Sequence, residues 1–260
     1  MFPVAVLAAA LASSASEPKT VTLTVGDLKR EALVFAPAKA SAAPPLVFAF
    51  HGHGGTMRQA SRSLAIHDHW PEAVVVYPQG VPTPGQLTDP EGKKSGWQAA
   101  AGNQDDRDLK FFDELLKTVK KDYKTDDKRV YCTGHSNGGG FTYLLWAKRG
   151  DVFAAVAPSA AAATRYASEL KPKPCLHVTG EADPLVRPAM QKRTTDAVRK
   201  VNGCAAEGKE WAKGGDLVGT IYESTGGTPF VALVGPGDHK FPAADAPKLI
   251  VKFFKEHEKK

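Results

Sequence analysis

Three cysteines in 260 residues are too few, and odd in number, for a disulfide-framed scaffold. No apolar run approaches the roughly 20 residues of a membrane-spanning helix, so no stable membrane insertion is expected. There is no arginine-rich stripe and no nucleic-acid motif. The formal charge of +6 and pI near 9.1 therefore read as solvated lysines, such as Lys252, Lys255, Lys259 and Lys260, and no nucleic acid is expected as a partner. Gly138-Gly139-Gly140 has the spacing of neither a P-loop nor a G-x-G-x-x-G loop. His51 with His53 and His67 with His69 form H-x-H pairs, but a zinc site needs three or four converging ligands, and no metal is expected. No repeat and no linker divides the chain. Its length suits one α/β domain and is too short for two.

What is present is ordinary globular composition, 42% apolar and 24% charged. Val4 to Ala12 is a short apolar run followed by Ser13-Ser14-Ala15-Ser16. Met1-Phe2-Pro3 lacks the usual positive charge, yet an apolar stretch before small residues has the pattern of a secretory signal. Residues 1–16 are read as that signal, residues 17–260 as the folded domain, and the location as secreted or periplasmic. In such a compartment Cys175, opening a strand, and Cys204, closing the helix after it, are candidates for a disulfide. Cys132 lies inside an apolar strand as a buried free thiol.

Short apolar runs recur along the chain: 21–25, 32–35, 46–50, 73–77, 129–133, 153–157, 175–178 and 229–234. Runs of this kind suit parallel strands buried on both faces. Between them fall helical patterns. Leu109, Phe112, Leu115, Leu116, Val119 and Tyr123 share one helix face, with Asp105 and Asp106 placed to cap it. Another apolar helix follows Ser136, and a last one carries Leu249, Ile250, Phe253 and Phe254. Strands alternating with helices predict a mostly parallel, doubly wound sheet of about eight strands with helices on both faces. Residues 80–104 form a long Gly/Pro/polar connection leaving the carboxyl end of a strand, where ligands bind in such sheets. The short stretch 158–174 leaves no room for a large lid, so an open site is expected.

Gly134-His135-Ser136-Asn137-Gly138 fits G-x-S-x-G between a predicted strand and a predicted helix. That context demands a sharp turn that lifts a serine hydroxyl, with flanking glycines because Cβ atoms would collide. A nucleophilic serine needs a base, and the base an orienting carboxylate. Asp183, with Glu181 as a rival, follows the strand at 175–178. His239 follows the strand at 229–234. The order Ser, Asp, His with each residue just after a strand predicts Ser136, Asp183 and His239 as a catalytic triad. His51-Gly52-His53-Gly54-Gly55 follows the strand at 46–50 and is placed to form an oxyanion hole from the His53 amide, or that of Gly54, with the Asn137 amide. Trp97, in the long loop, either contacts substrate or anchors the loop to the core. His135, beside the nucleophile, is a second candidate substrate contact.

The strings HGHGG, YPQG (Tyr77–Gly80), Gly96-Trp97, RVYCTGHSNGG (Arg129–Gly139), GEADPLV (Gly180–Val186) and GPGDHKFP, in that order between about Leu46 and Pro242, resemble the polyhydroxybutyrate depolymerase/feruloyl esterase group of the α/β-hydrolase superfamily. The resemblance implies a secreted carboxylester hydrolase acting on an ester substrate, possibly polymeric, without a cofactor. His53 stands where the group's HGC string has cysteine, and Asp238-His239-Lys240-Phe241-Pro242 departs from its GGHxWP string. Both changes leave the reacting groups intact and bear on the choice of ester. A serine peptidase on the same fold and a non-catalytic binding module are the alternatives.

Overall fold

The computed structural model describes residues 17–39, 41–85 and 87–260. The secretory-signal reading falls on residues 1–16 and lies outside the described residues.

Among the described residues, twelve strands and six α-helices follow in chain order. The strands are β1 (Lys19–Val25), β2 (Leu28–Phe35), β3 (Leu46–Phe50), β4 (Val74–Pro78), β5 (Val81–Pro82), β6 (Ser95–Gly96), β7 (Val130–His135), β8 (Ala155–Ser159), β9 (Cys175–Gly180), β10 (Lys209–Gly214), β11 (Leu217–Tyr222) and β12 (Phe230–Gly235). The helices are α1 (Met57–Leu64), α2 (Ile66–His69), α3 (Arg107–Tyr123), α4 (Asn137–Arg149), α5 (Pro188–Val201) and α6 (Ala246–Lys255). Ten strands form one sheet in the order β1-β2-β4-β3-β7-β8-β9-β12-β11-β10. The strands from β4 to β12 in that order are parallel, and antiparallel pairs close both edges.

Alternation along each strand divides the apolar residues between two cores. In β3, Leu46, Phe48 and Phe50 face one core with Leu109, Phe112 and Leu115 of α3, Phe141 and Leu145 of α4 and Val198 of α5. Val47 and Ala49 face the other, with Met57 and Leu64 of α1, Ile66 of α2 and Leu249, Ile250 and Phe254 of α6. Each large side chain buried this way contributes about 1.5–3 kcal/mol.

Three expectations change. The sheet has ten strands where about eight were expected, because the hairpin β10–β11 was not read. Its β10 is largely exposed and charged, so it lacks the apolar run that marks the central strands. Asp106 does not cap α3; its carboxylate accepts from the amide of Gly102 and the side chain of Gln98, both at 2.8 Å, and so folds the preceding loop. Cys175 and Cys204 are free thiols. The Cys175 side chain meets the Tyr143 hydroxyl, while the Cys204 sulfur faces the carbonyl of Thr228 at 4.0 Å.

Candidate active site

Ser136 sits between β7 and α4 with φ 57° and ψ −119°, a left-handed conformation that costs a non-glycine residue about 1–3 kcal/mol. Two glycines make the turn possible. A Cβ on Gly134 would lie 2.4 Å from the Gly138 carbonyl oxygen, and one on Gly138 would lie 2.4 Å from the oxygen of Phe50. The turn therefore packs directly on β3 and aims the serine hydroxyl above the carboxyl end of the sheet, at the N-terminus of α4.

Two further loops at that edge converge on the hydroxyl. His239 places Nε2 2.8 Å from Ser136 Oγ and Nδ1 2.8 Å from Asp183 Oδ2. Asp183 has a fully buried side chain, whereas the His239 ring stays 19% exposed and open to the cleft. The amides of Leu185 and Val186 donate to Asp183 Oδ1, each at 2.9 Å, and Gln191 Nε2 donates to Oδ2 at 3.2 Å. The rival acid Glu181 is exposed; its amide merely ties the β9 loop to the Gly235 carbonyl at 2.8 Å. The three loops at the carboxyl edge of the sheet thus bring together Ser136, Asp183 and His239.

His135 is not on the cleft wall. Its ring packs against His239 at 5.1 Å between centroids and against Phe241 at 5.7 Å, with Nδ1 3.1 Å from Ser159 Oγ. Burial pushes its pKa down to about 4, so a neutral ring backs the His239 imidazole without adding charge. The reading of His135 as a substrate contact gives way to one of support behind the His239 ring. Trp97 is also displaced from its first alternative. It is completely buried, stacked on Phe141 at 5.2 Å, and donates Nε1–H to the carbonyl of His51 at 2.9 Å. It anchors the loop.

The loop that carries His53 begins at the end of β3 and stops at Thr56, whose hydroxyl caps α1 by accepting from the Gln59 amide. The backbone N–H groups of His53 and Asn137 have no hydrogen-bond partner among the described residues, whereas Gly54, the fallback donor, gives its N–H to Ser95 at 2.7 Å. His51 stays inside as a neutral ring, its pKa pushed down to about 4 by desolvation; Nδ1 donates to Gly52 and Nε2 accepts from the Gly80 amide. The His53 ring reaches outward to Asp89, Nε2 to Oδ2 at 3.0 Å. Asp89 also accepts from the amides of Lys94 and Lys93, and these bonds hold its carboxyl below the ordinary range.

The Asn137 side chain was not singled out by its sequence position. Its Oδ1 accepts from the Trp97 amide at 2.7 Å and its Nδ2 donates to the Trp97 carbonyl at 3.1 Å. The residue after Ser136 thereby clamps the long loop. Further back, Asp108 pairs with Arg30 at 2.8 Å, both side chains fully buried, and accepts from the amide of Gln98. Asp89, Asp108, Gln191 and His177 all escaped the sequence reading. A histidine inside the apolar run of β9 was the one signal that could have flagged any of them, because a buried polar residue always needs a partner.

A cleft of about 190 Å³ opens over Ser136. Pro84, Leu87, Ala99, Phe141, Tyr166 and Met190 make its apolar walls, with His53, Asn137 and His239 at the base. The long connection 80–104 supplies one wall. Among the described residues, no three His, Cys, Asp or Glu side chains gather into a metal-holding group, and no helix is long and apolar enough to cross a membrane.

The mostly parallel sheet, the helices on both its faces and the strained serine turn define an α/β-hydrolase fold. Residues 96–171 match the prolyl oligopeptidase family. The chain is 31% identical over 173 residues to a bifunctional acetylxylan esterase/xylanase of Neocallimastix patriciarum, covering 62% of this chain and 23% of that protein. It is 32% identical over 154 residues to feruloyl esterase D of Neurospora crassa, covering 58% of this chain and 52% of that one. The chain thus spans a quarter to a half of the length of these curated relatives. An acetyl xylan esterase structure from Aspergillus awamori superposes with a TM-score of 0.63 at 13% identity, covering 91% of this chain and 99% of that one. At such identity the likeness is one of fold.

Proposed function

We propose that this protein is a secreted serine carboxylesterase working through an acyl-enzyme. The observation that carries the reading is the unbroken hydrogen-bonded line from Ser136 Oγ through the His239 ring to the buried Asp183 carboxylate. His239 Nε2 takes the hydroxyl proton as Ser136 Oγ attacks the ester carbonyl. Asp183 fixes the Nδ1–H tautomer and balances the charge that forms on the ring. The His53 and Asn137 amides receive the oxyanion, each donor being worth about 3–4 kcal/mol at the transition state. His239 then protonates the departing alcohol, and water repeats the sequence to release the acid.

The substrate class rests on the relatives' names and on the cleft. An apolar trough beside the serine suits the acyl part of a feruloyl or acetyl ester on plant polysaccharide, with hydroxybutyrate oligomers as the polyester alternative. Export fits a polymeric substrate too large to enter a cell. Ser136→Ala should cut p-nitrophenyl butyrate hydrolysis by at least about 10⁴-fold and abolish fluorophosphonate labelling, with the circular dichroism spectrum unchanged. Retained turnover in that variant would overturn the assignment. Methyl ferulate, acetylated xylan and hydroxybutyrate oligomers, assayed on one sample, then rank the esters.

A second reading, a serine peptidase, is favoured by the match to the prolyl oligopeptidase family over residues 96–171. That segment carries the nucleophile turn, which esterases and peptidases of this fold share, and excludes Asp183 and His239. Cleavage of aminoacyl anilides at rates comparable to p-nitrophenyl butyrate would favour it. An unlabelled wild-type protein would point instead to a binding module.

A further inference from the structure

Behind Asp183 lies a line of buried polar side chains that acyl transfer leaves without a task. Gln191 on α5, His177 on β9, Tyr143 on α4 and Cys175 on β9 are each at most 1% exposed. Gln191 Nε2 meets two groups, Asp183 Oδ2 at 3.2 Å and the carbonyl of Val186 at 2.6 Å. Both only accept, so this end of the amide must be the nitrogen. Its Oε1 then faces His177 Nε2 at 3.0 Å, and that ring nitrogen must carry the proton. The ring is neutral, its pKa pushed down to about 4 by complete burial. His177 Nδ1 is therefore bare and accepts from the Tyr143 hydroxyl at 2.8 Å. The Cys175 thiol meets that hydroxyl in turn. Each assignment forces the next, and every bond in the line points toward Asp183.

We infer that Gln191 is a positioning residue for the Asp183–His239 pair, and that His177, locked as its Nε2–H tautomer by Tyr143, sets which way the Gln191 amide faces. The inference rests on reading Ser136, Asp183 and His239 as the reacting groups. With the amide reversed, its oxygen would confront a carboxylate and a carbonyl. In the observed sense, Asp183 Oδ2 receives two donors, Gln191 and His239, while the Leu185 and Val186 amides hold Oδ1. The carboxylate is pinned in plane and the imidazole with it.

The arrangement has a titration signature. The Gln191 N–H draws charge from the same oxygen that pairs with His239. Removing it leaves more charge to stabilise the imidazolium that forms during reaction, which moves the acidic limb of kcat/KM to higher pH. The other groups facing His239 are Ser136, the neutral His135, and the flanking Asp238 and Lys240. Those facing the Gln191–His177 pair are Tyr143 and Cys175, both raised well above their ordinary values by burial. The first set is unchanged in the variants below, and the second loses only the Tyr143 hydroxyl in one of them.

Nitrogen-15 NMR of histidine-labelled protein should find His177 protonated at Nε2 from about pH 5 to 9. In Gln191→Leu, kcat should fall about tenfold, KM should hold because Gln191 does not line the cleft, and the acidic limb should rise by about half a pH unit. Tyr143→Phe removes the hydroxyl that claims Nδ1; its His177 signals should become a tautomer mixture and its acidic limb should shift the same way by less. An Nδ1–H tautomer in the wild type, or an acidic limb unmoved in the folded variants, overturns the inference. If Gln191→Leu fails to fold, the Tyr143→Phe profile and the wild-type tautomer decide it. An active Ser136→Ala enzyme would instead defeat the reading of the triad, and would leave the tautomer of His177 as measured.

Discussion

The two walls of the cleft are held by different means. Asp183 and His239 sit on short loops directly after β9 and β12, neighbouring parallel strands in register from Cys175 opposite Phe230 to Gly180 opposite Gly235. Backbone bonds join those loops, Glu181 to Gly235 at 2.8 Å and Ala182 to Gly237 at 3.0 Å. The described residues of the opposite wall, 80–104, have little regular structure: the paired dipeptides Val81–Pro82 and Ser95–Gly96, a bridge between Gly85 and Asp89, and the start of a 3-10 helix at Asn103. It is held by side chains: Asp89, Asp106, Asp108, His51 and Asn137 each bind its backbone or a side chain within it. A short loop inherits its place from the sheet. A long one takes its place from a few buried polar groups, each of which is costly to lose.

The largest expected effect follows from the Arg30–Asp108 pair. Both side chains are fully buried, and Asp108 also holds the Gln98 amide. Asp108→Ala strands a guanidinium in the core and should destabilise the protein by about 3–5 kcal/mol in urea unfolding. Replacing both partners, Arg30→Met with Asp108→Leu, leaves no lone charge and should recover most of that. A single-variant loss below about 1 kcal/mol would give the pair the weight of a surface ion pair and erase the contrast between the walls.

Acid should act on both walls. His51 on the loop side and His135 and His177 on the triad side have pKa values near 4, lowered mainly by burial from 6.5. Between those values the unfolded chain binds protons that the folded one excludes. Stability therefore rises with pH across this window, and is lost as pH falls from 6.5 towards 4. Each histidine is worth about 3 kcal/mol over the full interval, and His67 and His257 are lowered in the same direction. Calorimetry in buffers of different ionisation heat should find at least three protons taken up on unfolding near pH 5. His51→Gln should remove one of them. Proton uptake near zero would mean that these rings are charged, or solvated, in the folded state.

The same contrast explains what could be read before the structure. The central strands were legible because parallel strands buried on both faces must be continuous apolar runs, as Leu46–Phe50 and Val74–Pro78 are. The nucleophile turn was legible because Gly134 and Gly138 answer a collision that any larger residue would cause. That Asp183 and His239 meet could be anticipated because each directly follows one of two neighbouring strands of the sheet. The edge hairpin β10–β11 was not legible: one face meets solvent, so Lys209, Glu210 and Lys213 read as surface. Nor were the partners of the long loop. Asp89 is no different in sequence from any turn aspartate, and its bond to His53 depends on a fold of the intervening chain that no local pattern encodes. Trp97 could be read equally as anchor or contact until its full burial and its bond to His51 settled the matter.

The smallest effect isolates the joint between the walls. Asn137 belongs to the triad side by position and to the loop side by its side chain, which binds both the N–H and the C=O of Trp97. Its backbone amide, the proposed oxyanion donor, survives any substitution. Asn137→Ala should therefore cost about 1–2 kcal/mol of stability for two lost hydrogen bonds, and about tenfold in kcat/KM because the wall beside the oxyanion is no longer fixed. Asn137→Asp separates the two bonds. It keeps the acceptor for the Trp97 amide, but sets a second acceptor against the Trp97 carbonyl and brings negative charge close to the developing oxyanion. Its kcat/KM should fall further than that of Asn137→Ala. Equal losses in the two variants would mean that the clamp does no more than fill space, and that Trp97 packing on Phe50 and Phe141 holds the wall unaided.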